Sequence, residues 1–205
     1  MRDMGAKRAT RRDMRREATK AAVLDAAQSV FLDQGFEGAT IKAIADEAGV
    51  SPGTVLNAEP TKAALLVSIL RTESEQIAES AEQLEGALTG AAVDRLGALL
   101  QLMLDGHVRH TELFAAALGY RWLDASSDYQ IAFEELSFVW APVRRILKAG
   151  VDSGEFRGDL DVSAAMRALE EIFYSALREA ARDGGADPRA ALTARADILI
   201  RGLKA

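Results

Sequence analysis

Cysteine is missing from all 205 residues, which excludes disulfides, thiolate chemistry and any cysteine-ligated metal. That suits a reducing compartment, and a cytoplasmic location is expected. Only four prolines interrupt the chain, so long helices meet few obstacles. No run of about 18 apolar residues occurs, so no membrane-spanning helix is expected, and no apolar signal segment follows the basic N-terminus. Histidine is scarce too. His107 and His110 are the only two, and no third ligand stands at a spacing that would support a metal. They are either polar groups of the interior or, three residues apart on a helix, a shared hold on a ligand. The phosphate-cradling loop, the dinucleotide fingerprint and the nucleophile turn are all absent. The adjacent acids Glu134-Glu135 and Glu170-Glu171 point about 100° apart on a helix, so neither forms a catalytic dyad. Nothing here asks for an enzyme, a metal or a cofactor.

What is present is apolar residues at helical spacing, 49% hydrophobic in all, which predicts an all-α protein. A net charge of −6 divides unevenly along the chain. Residues 1–62 hold ten Lys/Arg and nine Asp/Glu, whereas residues 63–205 hold fifteen and twenty-two. Residues 1–20 alone carry eight basic and three acidic side chains. One positive end on an acidic body directs a polyanion to that end.

The most informative stretch is Thr40–Lys62, TIKAIADEAGVSPGTVLNAEPTK. Thr40 is a good N-cap, and Ile41, Ile44, Ala45 and Ala48 repeat on one helical face. Gly49 stops that helix, because glycine adopts positive φ without strain. Ser51 caps a second helix with Pro52 at its first position, and Val55 and Ala58 continue the buried side. Two short helices joined by a tight turn form a helix-turn-helix, with Ser51–Ala58 as the recognition helix. Upstream, Ala22, Val23, Ala26, Ala27, Val30 and Phe31 mark a supporting helix from about Arg15 to Gln34. Residues 1–14 show no apolar period and read as a basic arm. Lys7, Arg8, Arg11 and Arg12 either follow the phosphate backbone or a minor groove, or belong to a solvated tail.

The set Ala26-Ala27, Phe31, Gly35-Phe36, Thr40, Ile44-Ala45, Ala48-Gly49-Val50-Ser51, Gly53-Thr54, Lys62 and Leu65-Leu66 resembles the N-terminal domain of the tetracycline-repressor (TetR) family over roughly residues 15–66. Within it, Asn57 stands where a phosphate-contacting tyrosine is common, and Glu59 where a packing phenylalanine is common. The resemblance implies a homodimeric transcriptional regulator, a repressor that a small molecule releases from double-stranded DNA with a pseudo-palindromic operator. Thr40 and Lys42 are expected at phosphates, where helix-start N–H groups favour anions. Ser51, Pro52, Gly53, Thr54 and Asn57 are expected in the major groove, and Lys62 on a phosphate. Asn57 reads adenine or holds a phosphate. Three regions follow: an arm at 1–14, the helix-turn-helix domain at 15–62, and a ligand-binding and dimerisation domain at 63–205.

In that last region a helix from Thr61 to about Glu85 links the two domains. Helical stripes then bring together Met103, His107 and His110, next Phe114, Leu118 and Trp122, then Phe133, Leu136 and Trp140. These aromatics are either plain core or the wall of a pocket, and the resemblance implies a pocket for an apolar or aromatic effector. Pro142 is expected to kink a helix over about Ser127–Ala149. The closing two helices carry broad apolar faces, Met166, Leu169, Phe173 and Leu177 on one and Leu192 and Leu199 on the other. The resemblance implies that these faces meet a second copy in a four-helix interface. A competing reading is a dimeric small-molecule-binding or scaffold protein with weakened DNA binding, suggested by Asn57, Ala58 and Glu59.

Overall fold

A computed structural model describes residues 10–123, 136–182 and 187–204, with the backbone alone for 119–123. Among these residues lie nine α-helices, one 3-10 turn and a single isolated bridge between Phe156 and Lys204. The all-α expectation holds. The chain divides into two compact units, Met1–Ile69 and Leu70–Ala205.

In the first unit, α1 (Arg11–Gly38) begins four residues before the sequence-based boundary. Its start is a capping box. Thr10 Oγ1 accepts from Asp13 N at 3.2 Å, and the Asp13 carboxylate accepts from Thr10 N at 3.0 Å. This first turn buries nothing, so an apolar stripe could not reveal it. Val23, Ala26, Ala27, Val30 and Phe31 form the buried side. Gly35, at φ 70 and ψ 158, breaks the helix and turns Phe36 back, its ring 5.2 Å from Phe31. Then come α2 (Ile41–Ala48) and α3 (Pro52–Ala58), capped by Thr40 and Ser51 through bonds from Ala43 N and Thr54 N. Gly49 takes the left-handed conformation between them (φ 64), and Val50 N returns to Ala45 O. Ile44, Ala45 and Val55 are fully buried, as are Leu65 and Leu66 at the start of α4 (Lys62–Ala87). The unit boundary falls inside α4, seven residues later than the sequence suggested.

The second unit continues α4 and adds α5 (Ala92–Val108), α6 (Thr111–Leu123), a 3-10 turn (Ser137–Trp140), α7 (Ala141–Asp152), α8 (Val162–Arg182) and α9 (Pro188–Leu203). The middle helix is α5, which packs on α7, α8 and α9 and buries Leu96, Leu99, Leu100, Met103 and Leu104. Ala91 offers its N-terminus no side-chain cap. The Glu155 carboxylate supplies one from the loop after α7, accepting from Ala92 N at 2.7 Å and Val93 N at 3.1 Å. Pro142 does not kink a helix. It sits in the first turn of α7, where its missing N–H breaks no bond. The portion of the expected helix before residue 136 lies outside the described residues.

Candidate nucleic-acid interface

The recognition helix α3 turns Val55 into the core and leaves Ser51, Pro52, Gly53, Leu56 and Asn57 exposed, with Thr54 half-buried. Two of these are engaged locally. Ser51 Oγ and Thr54 Oγ1 lie 2.9 Å apart, which locks the first turn of α3. Thr40 and Lys42 stand exposed at the start of α2. Leu56 was not among the expected contacts, although it is 45% exposed on a helix otherwise polar on that side. The signal was available: Leu56 lies one residue beyond the buried Val55, about 100° round the helix.

Two charged residues have occupations the sequence did not disclose. Lys62 was expected to hold a phosphate. Instead its Nζ donates to Phe36 O (2.6 Å), Ala39 O (3.1 Å) and Glu37 O (3.2 Å), and lies 4.6 Å from the Phe36 ring centroid. An ammonium has three hydrogens, and three carbonyls at the broken end of α1 take them. Glu59 is also turned inward. Its carboxylate accepts from Ser68 Oγ at 2.6 Å and pairs with Lys20 Nζ at 2.8 Å, and its side chain is 15% exposed. It therefore fastens the end of α3 to α1 and α4, standing in with charge for the packing group an aromatic would have supplied.

In the second unit most of the expected pocket residues lie in the interior, and His110 does not. Met103, His107, Phe114, Leu118, Leu136 and Trp140 are all buried. Trp122 and Phe133 lie outside the residues whose side chains are described. The His107 ring lies 4.4 Å from Phe114 and 5.1 Å from Phe173, and its Nδ1 is 2.7 Å from Met103 O. Burial pushes its pKa down to about 4, so the ring is neutral at pH 7 and Nδ1 carries the donated proton. His110 is not beside it. Helix α5 ends at Val108, and His110 instead faces Glu73 of α4, with Nε2 3.4 Å from Oε2.

The expected dimer face needs correction. Met166, Leu169, Phe173, Leu177 and Leu192 are buried within the single chain and have no surface left for a partner. Phe173 belongs to an inner aromatic cluster, edge-on to Trp140 at 5.2 Å and to Tyr174 at 5.8 Å. Of the six residues only Leu199 is partly exposed. The apolar faces are broad because α8 must pack on α5, α6, α7 and α9 at once.

Two capped helices across a left-handed glycine turn, braced by α1 and exposing one face of the second helix, define a helix-turn-helix DNA-binding protein. Residues 23–69 match the family described as "Bacterial regulatory proteins, tetR family". That segment is a TetR-family DNA-binding domain, and the chain is a DNA-binding transcriptional regulator rather than an enzyme. It is 28% identical over 172 residues to the transcriptional repressor KstR2 of Rhodococcus jostii RHA1, covering 78% of each chain. To the regulator UidR of Escherichia coli K12 it is 25% identical over 176 residues, covering 80% of this chain and 82% of UidR. Among solved structures it is similar to FadR of Thermus thermophilus, a TetR-family transcriptional repressor in complex with lauroyl-CoA. That match has a TM-score of 0.75 and 27% identity, covering 91% of this chain and 95% of FadR.

Proposed function

We propose that this regulator is a homodimeric repressor, released from a pseudo-palindromic operator by a largely apolar effector of the acyl-thioester class. The observation that carries the reading is the exposed face of α3 on a buried, capped support. Ser51, Pro52, Gly53 and Thr54 enter the major groove from that face, with Leu56 among them, and Asn57 stands at its edge. Thr40 and Lys42 meet phosphates at the start of α2. A dimer presents two such helices about 34–36 Å apart to successive half-sites. The effector class is supported by the likeness to the lauroyl-CoA-bound FadR. It also suits an interior of Phe114, Leu118, Trp140 and Phe173, whose polar member His107 is uncharged. The competing scaffold reading loses one of its three grounds, because Glu59 is paired with Lys20 and accepts from Ser68.

The test is retardation of the DNA upstream of the protein's own gene, with and without lauroyl-CoA, free laurate and acyl-CoAs of graded length. A retarded complex dissolved by a thioester but not by the free acid is expected. A complex indifferent to every acyl-CoA removes the effector class while leaving the DNA reading intact. No complex with this or any duplex selected from a random pool removes the DNA reading itself.

A further inference from the structure

With Lys62 and Glu59 both turned inward, α3 lacks a cation of its own: PGTVLNA contains none. Besides Lys42 of α2, a supply lies on α1. Arg12, Arg15, Arg16 and Thr19 follow one another at i, i+3, i+4 and i+7, a single helical face. That face and Asn57 of α3 line one open depression of about 660 Å³. Arg16, Thr19 and Asn57 recur in an adjoining depression of about 290 Å³, reached also by Thr54 and Lys20. Three guanidiniums and one amide thus converge on the same space, at the edge of the surface α3 exposes.

Their charge is available. Arg12, Arg15 and Arg16 have no ion-pair partner among the described residues, whereas Lys20 is taken by Glu59. The acids nearby are Asp13 and Glu17. The Asp13 carboxylate accepts from Thr10 N at 3.0 Å and Thr10 Oγ1 at 2.7 Å, and of the three guanidiniums it is Arg16 whose charge it also feels. Thr19 Oγ1 donates to Arg15 O at 2.9 Å. Guanidiniums with an amide donor beside them suit phosphate oxygens, which accept several hydrogen bonds at once.

We propose that this depression seats the DNA phosphate backbone beside the groove that α3 enters, with Arg12, Arg15 and Arg16 as its cations and Asn57 as its amide donor. The first helix then supplies the grip that Lys62 cannot. The inference rests on the DNA-binding reading above and assigns Asn57 to phosphate rather than to adenine. Phosphate contacts carry no sequence information and release counterions, which separates them from base contacts.

The experiment uses a duplex selected by the wild-type full chain from a random pool, and a scrambled duplex of equal composition. Affinity for both is measured across a salt series for wild type, the triple variant Arg12→Gln/Arg15→Gln/Arg16→Gln, and the same three positions changed to Lys. Circular dichroism confirms that α1 remains helical in each. The Gln variant should flatten the log–log salt slope by ~0.9 per lost contact, about 2.7 per protomer. It should weaken both duplexes by the same factor, and the Lys variant should restore most of the slope. Asn57→Ala should likewise weaken both duplexes equally. An unchanged slope in the Gln variant, or a loss confined to the selected duplex, overturns the assignment. Failure of the wild type to select any duplex instead counts against the DNA-binding reading.

Discussion

At the scale of single residues, His107 and His110 show how a spacing misleads. Three positions apart, they share a face only while the helix lasts, and α5 ends between them at Val108. One becomes a buried neutral ring and the other a partner of Glu73. The buried ring has a measurable consequence. Its folded-state pKa, about 4, lies below the ordinary histidine value of 6.5, so between those values the unfolded chain binds the proton and the folded one does not. Stability from this group is therefore complete above about pH 6.5 and falls as pH drops toward 4. The span of about 2.5 units corresponds to about 3 kcal/mol. Urea unfolding followed by tryptophan fluorescence reports the second unit, which holds both Trp122 and Trp140. Wild type and His107→Phe should differ in their stability loss between pH 7 and pH 4.5 by roughly this amount, the variant losing less. Parallel losses would mean that His107 takes up its proton without unfolding the unit. Lys62 and Glu59 were hidden for a different reason. The bonds of Lys62 span 23 to 26 residues, and Glu59 meets Lys20 across 39 positions. No local pattern encodes where a flexible charged side chain finds its acceptors.

At the scale of elements, the helix-turn-helix was legible because its punctuation is local. Thr40, Gly49, Ser51 and Pro52 each act within four residues of themselves, and all four act as expected. The start of α1 is equally local, in Thr10 and Asp13, but no apolar stripe stands behind that cap to mark it as a helix start. The end of Pro142's helix was sound and its beginning was not, since a proline reads the same way as a kink or as a first turn. Within α3, burial of Val55 sets the rotation, and that rotation exposes Leu56. A branched apolar side chain in a major groove finds few partners other than the thymine methyl. Leu56→Ala should accordingly weaken the selected duplex by about 1 kcal/mol, roughly fivefold, and leave the scrambled duplex and the salt slope unchanged. Replacing thymine by deoxyuracil at the contacted position should reproduce the loss in wild type and add nothing in Leu56→Ala. Equal weakening of both duplexes would show that Leu56 supports the fold of α3 rather than reading a base.

At the scale of the molecule, the question is which surface a second copy can use. Apolar periodicity located α8 and α9 but could not say which apolar residues the chain itself would consume. Two helices packed on several neighbours need wide apolar faces with no partner subunit at all, and α8 is such a helix. Its fully buried residues, Phe173 and Leu177 among them, are core. The surface left over is marked by Arg195 of α9, which donates to Ser175 of α8 at 3.0 Å and so spans the seam between the two helices. One turn along from that seam lie Ile172 and Leu199, both partly exposed, and beside them Ile198 is 77% exposed. An isologous dimer about this seam would cover all three, and a charge placed there would meet its own copy. Ile198→Glu and Ile172→Glu should therefore elute as monomers with helical content intact and a stability shift of the order of 0.5 kcal/mol, as for other surface changes. Both should lose most operator affinity, because a pseudo-palindrome rewards two linked half-sites. Phe173→Asp should behave differently, buried without a counter-charge and melting the second unit outright. Light scattering beside circular dichroism separates the two outcomes. If both glutamate variants remain dimeric and bind operator as wild type does, the two-fold axis does not pass through the α8–α9 seam.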